Sequence, residues 1–392
     1  MSLWTVIREE MVLKRKLHVV ARDMSYGVVG INTPSFKVIQ NIQRYKKVHV
    51  HDKDPHSVSL SRNVEPHEVL CDLVMNMDRP RTIMTFLPNE HASAQKLQQL
   101  SVWCDKGDSI INLSNEKYTN SKKYDKMFYK KDIYYTGGFM SGNAIITSGD
   151  DHVYCANEIF YNTFSEANIH LGIDPCEAHK LRMIHNTMEC ALFQGYADIY
   201  GYYNQSPTLA KVLSSRKLDD IEGPIRSRSI GRFYESIDIN DVASINKTNK
   251  WCTYYALKCE VPIPTLQSAL NSRITSRFMK FVNASQPYNK WVDDHVLQQT
   301  LRFVYAMVYF EGFCLSGNIV NCIESTTLDC DIFERGEFFD IIHETSIYAR
   351  TFCMHCAQSN IPAPVVQSAL CQYDIMQQKR SSMSFIASLT RE

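Results

Sequence analysis

The spacing of apolar residues changes near residue 165, and this change constrains the fold more than any other feature of the sequence. Before it, short apolar runs alternate with polar stretches of helical length, beginning with a strand–helix–strand unit from Tyr26 to His51. Parallel strands require such crossovers, so the first part predicts an open, mostly parallel sheet. After it, apolar residues recur about every 3.6 positions, which indicates helices. We therefore predict an α/β domain followed by an all-α domain.

The same patterns give approximate positions for elements and domains. Strands are predicted at 26–31, 48–51, 82–87, 109–113 and 132–136, and helices at 36–45, 253–257, 266–279, 296–315 and 338–353. The predicted segments are an N-terminal extension at 1–22, the α/β domain at 23–165, the helical domain at 166–375 and a polar C-terminal tail at 376–392.

Composition excludes several classes of protein. The chain has 42 basic and 42 acidic residues, which argues against a nucleic-acid partner. No apolar run is long enough to span a membrane, and charges from Arg8 onward exclude a secretory signal, so an intracellular protein of the cytoplasm or nucleus is expected. The thirteen cysteines are interpreted as free buried thiols, with intermolecular disulfides as the alternative. Cys353 and Cys356 lack a second ligand pair, so no metal site is predicted.

Two regions contain residues suited to binding or chemistry. After the first strand, the turn from Gly30 to Ser35 has only the first glycine of a dinucleotide fingerprint, and Pro34 has no amide hydrogen to offer a phosphate, so a helix-capping turn is predicted. Further on, four polar residues share one face of a long predicted helix: Arg182, His185, Asn186 and Glu189. That face is either an active-site wall or a solvated surface. Lys250 and Arg273 are either phosphate anchors or surface charges.

Five segments, in order along the chain, resemble 6-phosphogluconate dehydrogenase. They are Arg79–Ile83, Gly107–Asn112 with Asn115 and Tyr118, His179–Asn186, Asn249–Thr253, and Ile361–Tyr373. The resemblance implies a Rossmann-like domain for NADP and an all-helical dimerisation domain whose C-terminal tail crosses to a two-fold partner. It also implies remnant substrate contacts at Asn115, His185, Asn186, Lys250 and Arg273. Gly30 and Lys53 correspond to cofactor-binding positions, with Lys53 at the place of an arginine that contacts the 2′-phosphate.

Several departures from the family pattern affect residues with a role in catalysis. Arg182 stands at the position of the general-base lysine, and a guanidinium does not release its proton in a protein. Glycines of the family are replaced by Ser35, Leu113 and Ser114, and Pro88 replaces a lysine near the nicotinamide. The loop after Ser141-Gly142-Asn143 is shorter, and the tail ends at Arg391-Glu392 without a histidine. We therefore expect a pseudoenzyme with no cofactor, in which Arg182 and Glu189 are vestigial catalytic positions.

Three functional hypotheses follow. The first is a structural protein that forms a two-fold dimer and then a higher homo-assembly, for example the matrix of a crystalline viral inclusion (occlusion) body, without nucleic-acid or membrane partners. In it, residues 1–22 and the tail contact neighbouring copies, and some cysteines form intermolecular disulfides. The alternative is an active or weakly active NADP-dependent 6-phosphogluconate dehydrogenase. The third is a regulatory pseudoenzyme that binds a sugar phosphate.

Overall fold

The computed structural model describes residues 25–55, 63–141, 144–203, 247–278, 292–317 and 337–378. These residues divide into two compact units, one reaching to Arg182 and the other starting at Met183. The predicted extension at 1–22, Gly142 and Asn143 of the shortened loop, and the tail residues 379–392 lie outside the described residues. The domain boundaries at 165 and 375 stay predictions.

The first unit is built on one eight-stranded sheet. Its strands are β1 (Ser25–Val29), β2 (Val48–His51), β3 (Val64–His67), β4 (Arg81–Thr85), β5 (Ser109–Asn112), β6 (Tyr134–Ser141), β7 (Ala144–Gly149) and β8 (Ala167–His170). They lie in the order β3-β2-β1-β4-β5-β6-β7-β8, and every neighbouring pair is parallel except β6 and β7. The prediction of a mostly parallel, Rossmann-like sheet is confirmed.

Helices connect these strands and cover both faces of the sheet. They are α1 (Thr33–Ile42), α2 (Leu70–Met75), α3 (Glu90–Trp103), α4 (Tyr118–Tyr129) and α5 (Asp151–Tyr161). Adjacent residues in the central strands enter different cores: Val28 and Met84 belong to one buried cluster, Val29 and Ile83 to the other. Burial on both faces explains why these strands read as continuous apolar runs.

Three strands, β3, β7 and β8, are absent from the predicted set. Strand β3 has the sequence Val64-Glu65-Pro66-His67, and among the described strands it pairs only with β2, at the edge of the sheet. An edge strand tolerates proline and polar residues, because one side of it has no neighbour to pair with. The apolar pattern of β3 is therefore too weak to predict the strand from the sequence.

The described part of the second unit is helical. Its helices are α6 (Glu177–Tyr203), which begins in the first unit, α7 (Lys247–Cys259), α8 (Pro264–Thr275), α9 (Asp294–Ser316), α10 (Glu337–Gln358) and α11 (Pro364–Gln377). The prediction of an all-helical region is confirmed. Helix α9 packs on α10, and α8 packs on α11. Among the described helices, none is both long enough and apolar enough to cross a bilayer.

Helices α8 and α11 begin in the same way, which the sequence analysis missed. Each starts at a proline, Pro264 or Pro364, and each then contains Gln-Ser-Ala-Leu. At α8 the carboxylate of Glu311 accepts hydrogen bonds from the amides of Thr265 at 2.8 Å and Leu266 at 2.9 Å. At α11 the equivalent acceptor is the buried carboxylate of Asp198, which binds the amides of Val365 at 2.9 Å and Val366 at 3.2 Å. A buried acid from another helix thus caps each of these helices.

Candidate functional site

The candidate site lies in the first unit, where parallel strands β1, β2, β4 and β5 end. In open α/β sheets, ligands bind beyond the carboxyl ends of the strands, near the point where the strand order reverses. Here that point lies between β1 and β4, since β2 and β3 follow β1 on one side while β4 and β5 extend the other.

The turn after β1 requires glycine at position 30. Gly30 has φ +96°, and a Cβ atom there would lie 2.7 Å from the backbone oxygen of Phe86. Its amide donates a hydrogen bond to the oxygen of His51 at 2.9 Å, which holds the ends of β1 and β2 together. The turn therefore keeps the tight conformation that the first glycine of a dinucleotide-binding turn provides.

The first turn of α1 is capped by its own residues. The Asn32 Oδ1 accepts from the Ser35 amide at 3.1 Å, and the Ser35 Oγ accepts from the Asn32 amide at 2.7 Å. The Asn32 side-chain nitrogen donates to the oxygen of Phe86 at 3.0 Å. Ser35, which replaces a family glycine, thus belongs to a capping box. The turn is the helix-capping turn that the sequence predicts, and it leaves fewer free amides than a glycine-rich turn.

Two lysines lie at the end of β2. Lys53 is exposed, and the amide of Lys53 donates to Asp52 Oδ1 at 2.6 Å while Asp52 Oδ2 accepts from the Ile31 amide at 2.6 Å. The Lys96 ammonium lies 2.8 Å from His51 Nε2, and burial lowers the pKa of Lys96. Asp52 is thus occupied by backbone amides, and Lys53 and Lys96 place two cationic side chains near the end of β2. No pattern in the sequence indicates Lys96, because Lys96 meets His51 only through the fold.

The residues at the two lost glycines after β5 have structural roles. The Leu113 side chain is buried in the sheet core, and the Ser114 Oγ accepts from the Leu87 amide at 2.9 Å. Nearby, the buried Asn112 Oδ1 accepts from the Thr85 hydroxyl at 2.8 Å. Both replacements are therefore accommodated within the protein. Asn115 follows, and its side-chain oxygen is buried without a hydrogen-bond partner among the described residues.

Arg182 on α6 binds the same turn. Its Nη1 atom donates to the oxygen of Ser114 at 2.7 Å and lies 3.4 Å from the oxygen of Leu113. Burial lowers the pKa of Arg182 to about 10, so the guanidinium remains charged at neutral pH. One turn earlier, His179 Nδ1 lies 2.8 Å from the hydroxyl of Ser121, and burial followed by the charge of Arg182 lowers the pKa of His179 to about 3. The site thus pairs a fixed cation with a neutral imidazole.

The other predicted substrate residues lie in the second unit. His185, Asn186 and Glu189 are half-buried along α6. Arg273 is half-buried on α8 and acts on the thiol of Cys190, which places it beside the same helix. Lys250 is exposed in the first turn of α7. The structure brings Arg273 to α6, and it brings Arg182 to the turn that precedes Asn115.

Comparison of the sequence with known proteins finds similarity to 6-phosphogluconate dehydrogenases. No protein-family model matches the sequence. The chain is 24% identical over 249 residues to a decarboxylating 6-phosphogluconate dehydrogenase of Synechococcus elongatus, covering 55% of this chain and 52% of that protein. It is 22% identical over 298 residues to the Staphylococcus aureus protein of the same name, covering 67% of this chain and 64% of that protein. The chain thus matches about half to two-thirds of the length of these curated relatives.

The fold comparison extends further along the chain. Plasmodium falciparum 6-phosphogluconate dehydrogenase, solved in its apo form and with NADP+ or 6-phosphogluconate, superposes with a TM-score of 0.73 at 18% identity, covering 92% of this chain and 94% of that chain. A 3-hydroxyisobutyrate dehydrogenase of Mycobacterium tuberculosis superposes with a TM-score of 0.51 at 14% identity, covering 71% of this chain and 99% of that chain.

Two predictions are corrected by these findings. The prediction that the chain is not an enzyme is wrong, because the relatives are named as decarboxylating dehydrogenases. The prediction of no cofactor is wrong, because the structure with the TM-score of 0.73 is that of an NADP+-binding enzyme. The first relied on Arg182 at the position of the base lysine and on the shortened loop, and both relied on the lost glycines. Ser35 and Ser114 form hydrogen bonds within the protein and leave the Gly30 turn intact. The resemblance of this chain to the 6-phosphogluconate dehydrogenases is thus confirmed, in sequence and in fold.

Proposed function

We propose that the chain is an NADP-dependent oxidoreductase of the 6-phosphogluconate dehydrogenase type, acting on a phosphorylated hydroxy acid. The observation that supports this most is the grouping, at one edge of the sheet, of the Gly30 turn, two lysines and a buried guanidinium. The relatives' names supply the substrate class, and the departures of this chain from the family determine how its residues would act. The comparisons favour this alternative over the structural-matrix hypothesis, which depended on lost activity.

The residues present fit NADP, with a modified phosphate corner. Gly30 keeps the turn before α1 tight, and the positive end of the α1 dipole favours a phosphate there. Lys53 and Lys96 supply positive charge for the 2′-phosphate, whereas Asp52 is satisfied by amides and does not repel it strongly. The unpartnered oxygen of Asn115 offers an acceptor. When bound, the cofactor would supply the hydride acceptor for oxidation of the substrate hydroxyl.

Arg182 is proposed to bind negative charge rather than to move a proton. Its guanidinium is fixed by the Ser114 oxygen, and the unused donors of the guanidinium suit a carboxylate or a developing alkoxide. The hydroxyl proton then needs another acceptor. His185 lies one turn further along the same face of α6, and a neutral imidazole is an effective base near neutral pH. His185 is therefore proposed as the base that accepts the hydroxyl proton, and the imidazolium formed in this way as the acid that returns it, with Glu189 one turn further along α6.

The direct test is substrate-dependent reduction of NADP by the purified chain. We expect NADPH formation with 6-phosphogluconate, slower than in enzymes that have the lysine, and a preference for NADP over NAD. Replacing Lys53 and Lys96 with alanine should raise the KM for NADP by about 10–100-fold while changing the KM for NAD little, since two charge-assisted contacts are lost. Lys106→Ala is the matched control, because Lys106 is exposed and pairs with Asp132. Turnover no faster than in buffer, at saturating cofactor and substrate, would refute the proposed function.

We also propose that the working form is a two-fold dimer assembled through the helical unit. Large apolar side chains are exposed on α7 and α10, namely Tyr254, Leu257, Phe339, Ile347 and Met354. A monomer gains nothing from exposing them, and surfaces of this kind mark protein contacts. Further assembly and intermolecular disulfides are not part of the proposal.

A further inference from the structure

Strands β2 and β3 bring two histidines and a glutamate together on one face of the sheet edge. His49 is opposite Glu65 in the parallel register, and His67 follows on the same face of β3. His49 Nδ1 lies 3.0 Å from His67 Nε2 and 3.9 Å from Glu65 Oε2, and all three atoms lie within 4.8 Å of one another. The sequence analysis predicted no metal site; the only signal was the alternation His-x-His in β2 and Glu-x-His in β3.

These separations are close to those of a tetrahedral metal centre. With Zn–N bonds of about 2.0–2.1 Å, two ligand atoms on one zinc ion lie about 3.3 Å apart. The two nitrogens, hydrogen-bonded at 3.0 Å, are within about 0.3 Å of this spacing, and rotation of the flexible Glu65 side chain would bring its oxygen nearer. Two imidazoles and one carboxylate leave a fourth position for water.

The surroundings favour the metal-binding forms of the side chains. His49 and His67 are 3% and 7% exposed, and burial is the main cause that lowers the pKa of each, so both are neutral near pH 7. Glu65 is kept ionised because the ion pair with Lys47 lowers the pKa of its carboxyl. About a third of the Glu65 side chain is exposed, which gives an ion a route from solvent. In the structure the Lys47 ammonium, itself largely exposed, occupies the cationic position beside Glu65.

We propose that His49, Glu65 and His67 form a binding site for a divalent transition-metal ion, with Zn²⁺ as the expected ion. Mixed imidazole and carboxylate ligands suit zinc better than magnesium or calcium, which prefer oxygen alone. The ion would tie the edge strand β3 to β2. Lys53, proposed to contact the cofactor 2′-phosphate, follows β2 in the chain. It would displace Lys47, so Lys47 is a competitor for the site.

The test is metal binding by the full chain after removal of metal with a chelator. Calorimetry should give one Zn²⁺ per chain at this site, and Zn²⁺ should raise the unfolding temperature. Co²⁺ serves as the spectroscopic probe, since a nitrogen and oxygen ligand set gives tetrahedral d–d bands without the intense charge-transfer band of thiolate ligands. This distinguishes the site from binding to the thirteen cysteines.

Four variants define the outcome. His67→Gln and Glu65→Gln should each weaken binding by about 100-fold or more, because each removes a direct ligand. Lys47→Gln should strengthen it by about tenfold, because a competing cation is removed, and a loss of folding cannot mimic this gain. His170→Gln is the matched control: His170 Nε2 lies 3.0 Å from Asp151, a histidine–carboxylate pair without a third ligand, and its loss should leave affinity unchanged.

Three results would overturn the proposal. The first is the absence of a stoichiometric site in the wild-type chain, and the second is a cobalt spectrum with thiolate character only. The third is equal affinity in the wild type and in His67→Gln, since that would show that the histidine pair is only a buried hydrogen bond. None of these readouts depends on dehydrogenase activity, so this site and the proposed function can fail independently.

Discussion

At the scale of single residues, the proposed function depends most on Arg182. The resemblance places a general-base lysine there, and the structure shows a guanidinium that stays charged and is fixed by the oxygen of Ser114. A cation in this place can bind an anionic oxygen, but it cannot accept the hydroxyl proton. We propose that the replacement changes which residue moves the proton, and that Arg182 places a permanent cation where a base lysine would be neutral when it accepts the proton.

Arg182→Lys tests this division of roles. A lysine at this place keeps a cation and adds a group able to exchange a proton, so we expect kcat to rise by about tenfold or more, within the range of general-base contributions. Arg182→Met, which removes the charge, should lower kcat/KM by about 100-fold. The measurement is the rate of NADP reduction as a function of pH. In the lysine variant, the plot of kcat against pH should show an additional titration, that of the lysine. Equal losses in both variants would mean that the guanidinium geometry itself is indispensable.

His179 gives a residue-scale prediction about stability. Its folded pKa of about 3 lies below the unfolded value, so the unfolded chain binds more protons as pH falls. The stability due to the neutral imidazole is present above about pH 6.5 and is lost as pH falls toward 3. Between about pH 7.5 and pH 4.5 the loss should be about 2–3 kcal/mol relative to His179→Gln, measured by urea unfolding at each pH. Parallel curves for the two proteins would contradict this.

At the scale of secondary-structure elements, the capping of α8 and α11 is the clearest case of an element completed by a distant residue. Each helix begins with proline, which suits the first turn, and neither has a side-chain cap of its own. Glu311 and Asp198 supply the missing acceptors from other helices. The two similar sequences thus form two similarly capped helices because a carboxylate from another helix accepts the hydrogen bonds of each first turn.

Removing either capping carboxylate should destabilise the chain. Glu311→Ala and Asp198→Ala should each cost about 2 kcal/mol, because two buried amides lose their acceptor. Glu344→Ala, an exposed residue of α10, should cost less than about 0.5 kcal/mol. Burial raises the pKa of both capping acids to about 7, so their protonated state adds stability below the unfolded pKa and this is lost as pH rises through 7. The cost of Glu311→Ala by urea unfolding should therefore be larger at acidic pH than at alkaline pH.

At the scale of the whole molecule, the proposed dimer can be tested directly by its dissociation constant. If the helical unit forms the dimer, a charge on its exposed apolar residues should weaken association. We expect Leu257→Glu combined with Ile347→Glu to raise the dimer dissociation constant by at least about 100-fold in sedimentation equilibrium, since both side chains leave an apolar interface. Val102→Glu is the matched control, because Val102 is 64% exposed in the first unit. A wild-type chain that stays monomeric at high concentration would refute the dimer.

The sequence by itself determined the two kinds of architecture and the order of the elements it predicted, but not the strands β3, β7 and β8. Strand β2 has the predicted bounds, and α9 differs by two residues at one end and one at the other, because alternating and helical apolar spacing are properties of neighbouring residues. Only the tertiary structure decided which distant residues meet. Lys96 beside His51, Glu311 beneath α8, and His49 with Glu65 and His67 are contacts between separate elements, and no local pattern encodes them. The lost glycines were misread for the same reason: a sequence shows that Ser114 replaces glycine, but only the fold shows its hydroxyl turned inward to the Leu87 amide.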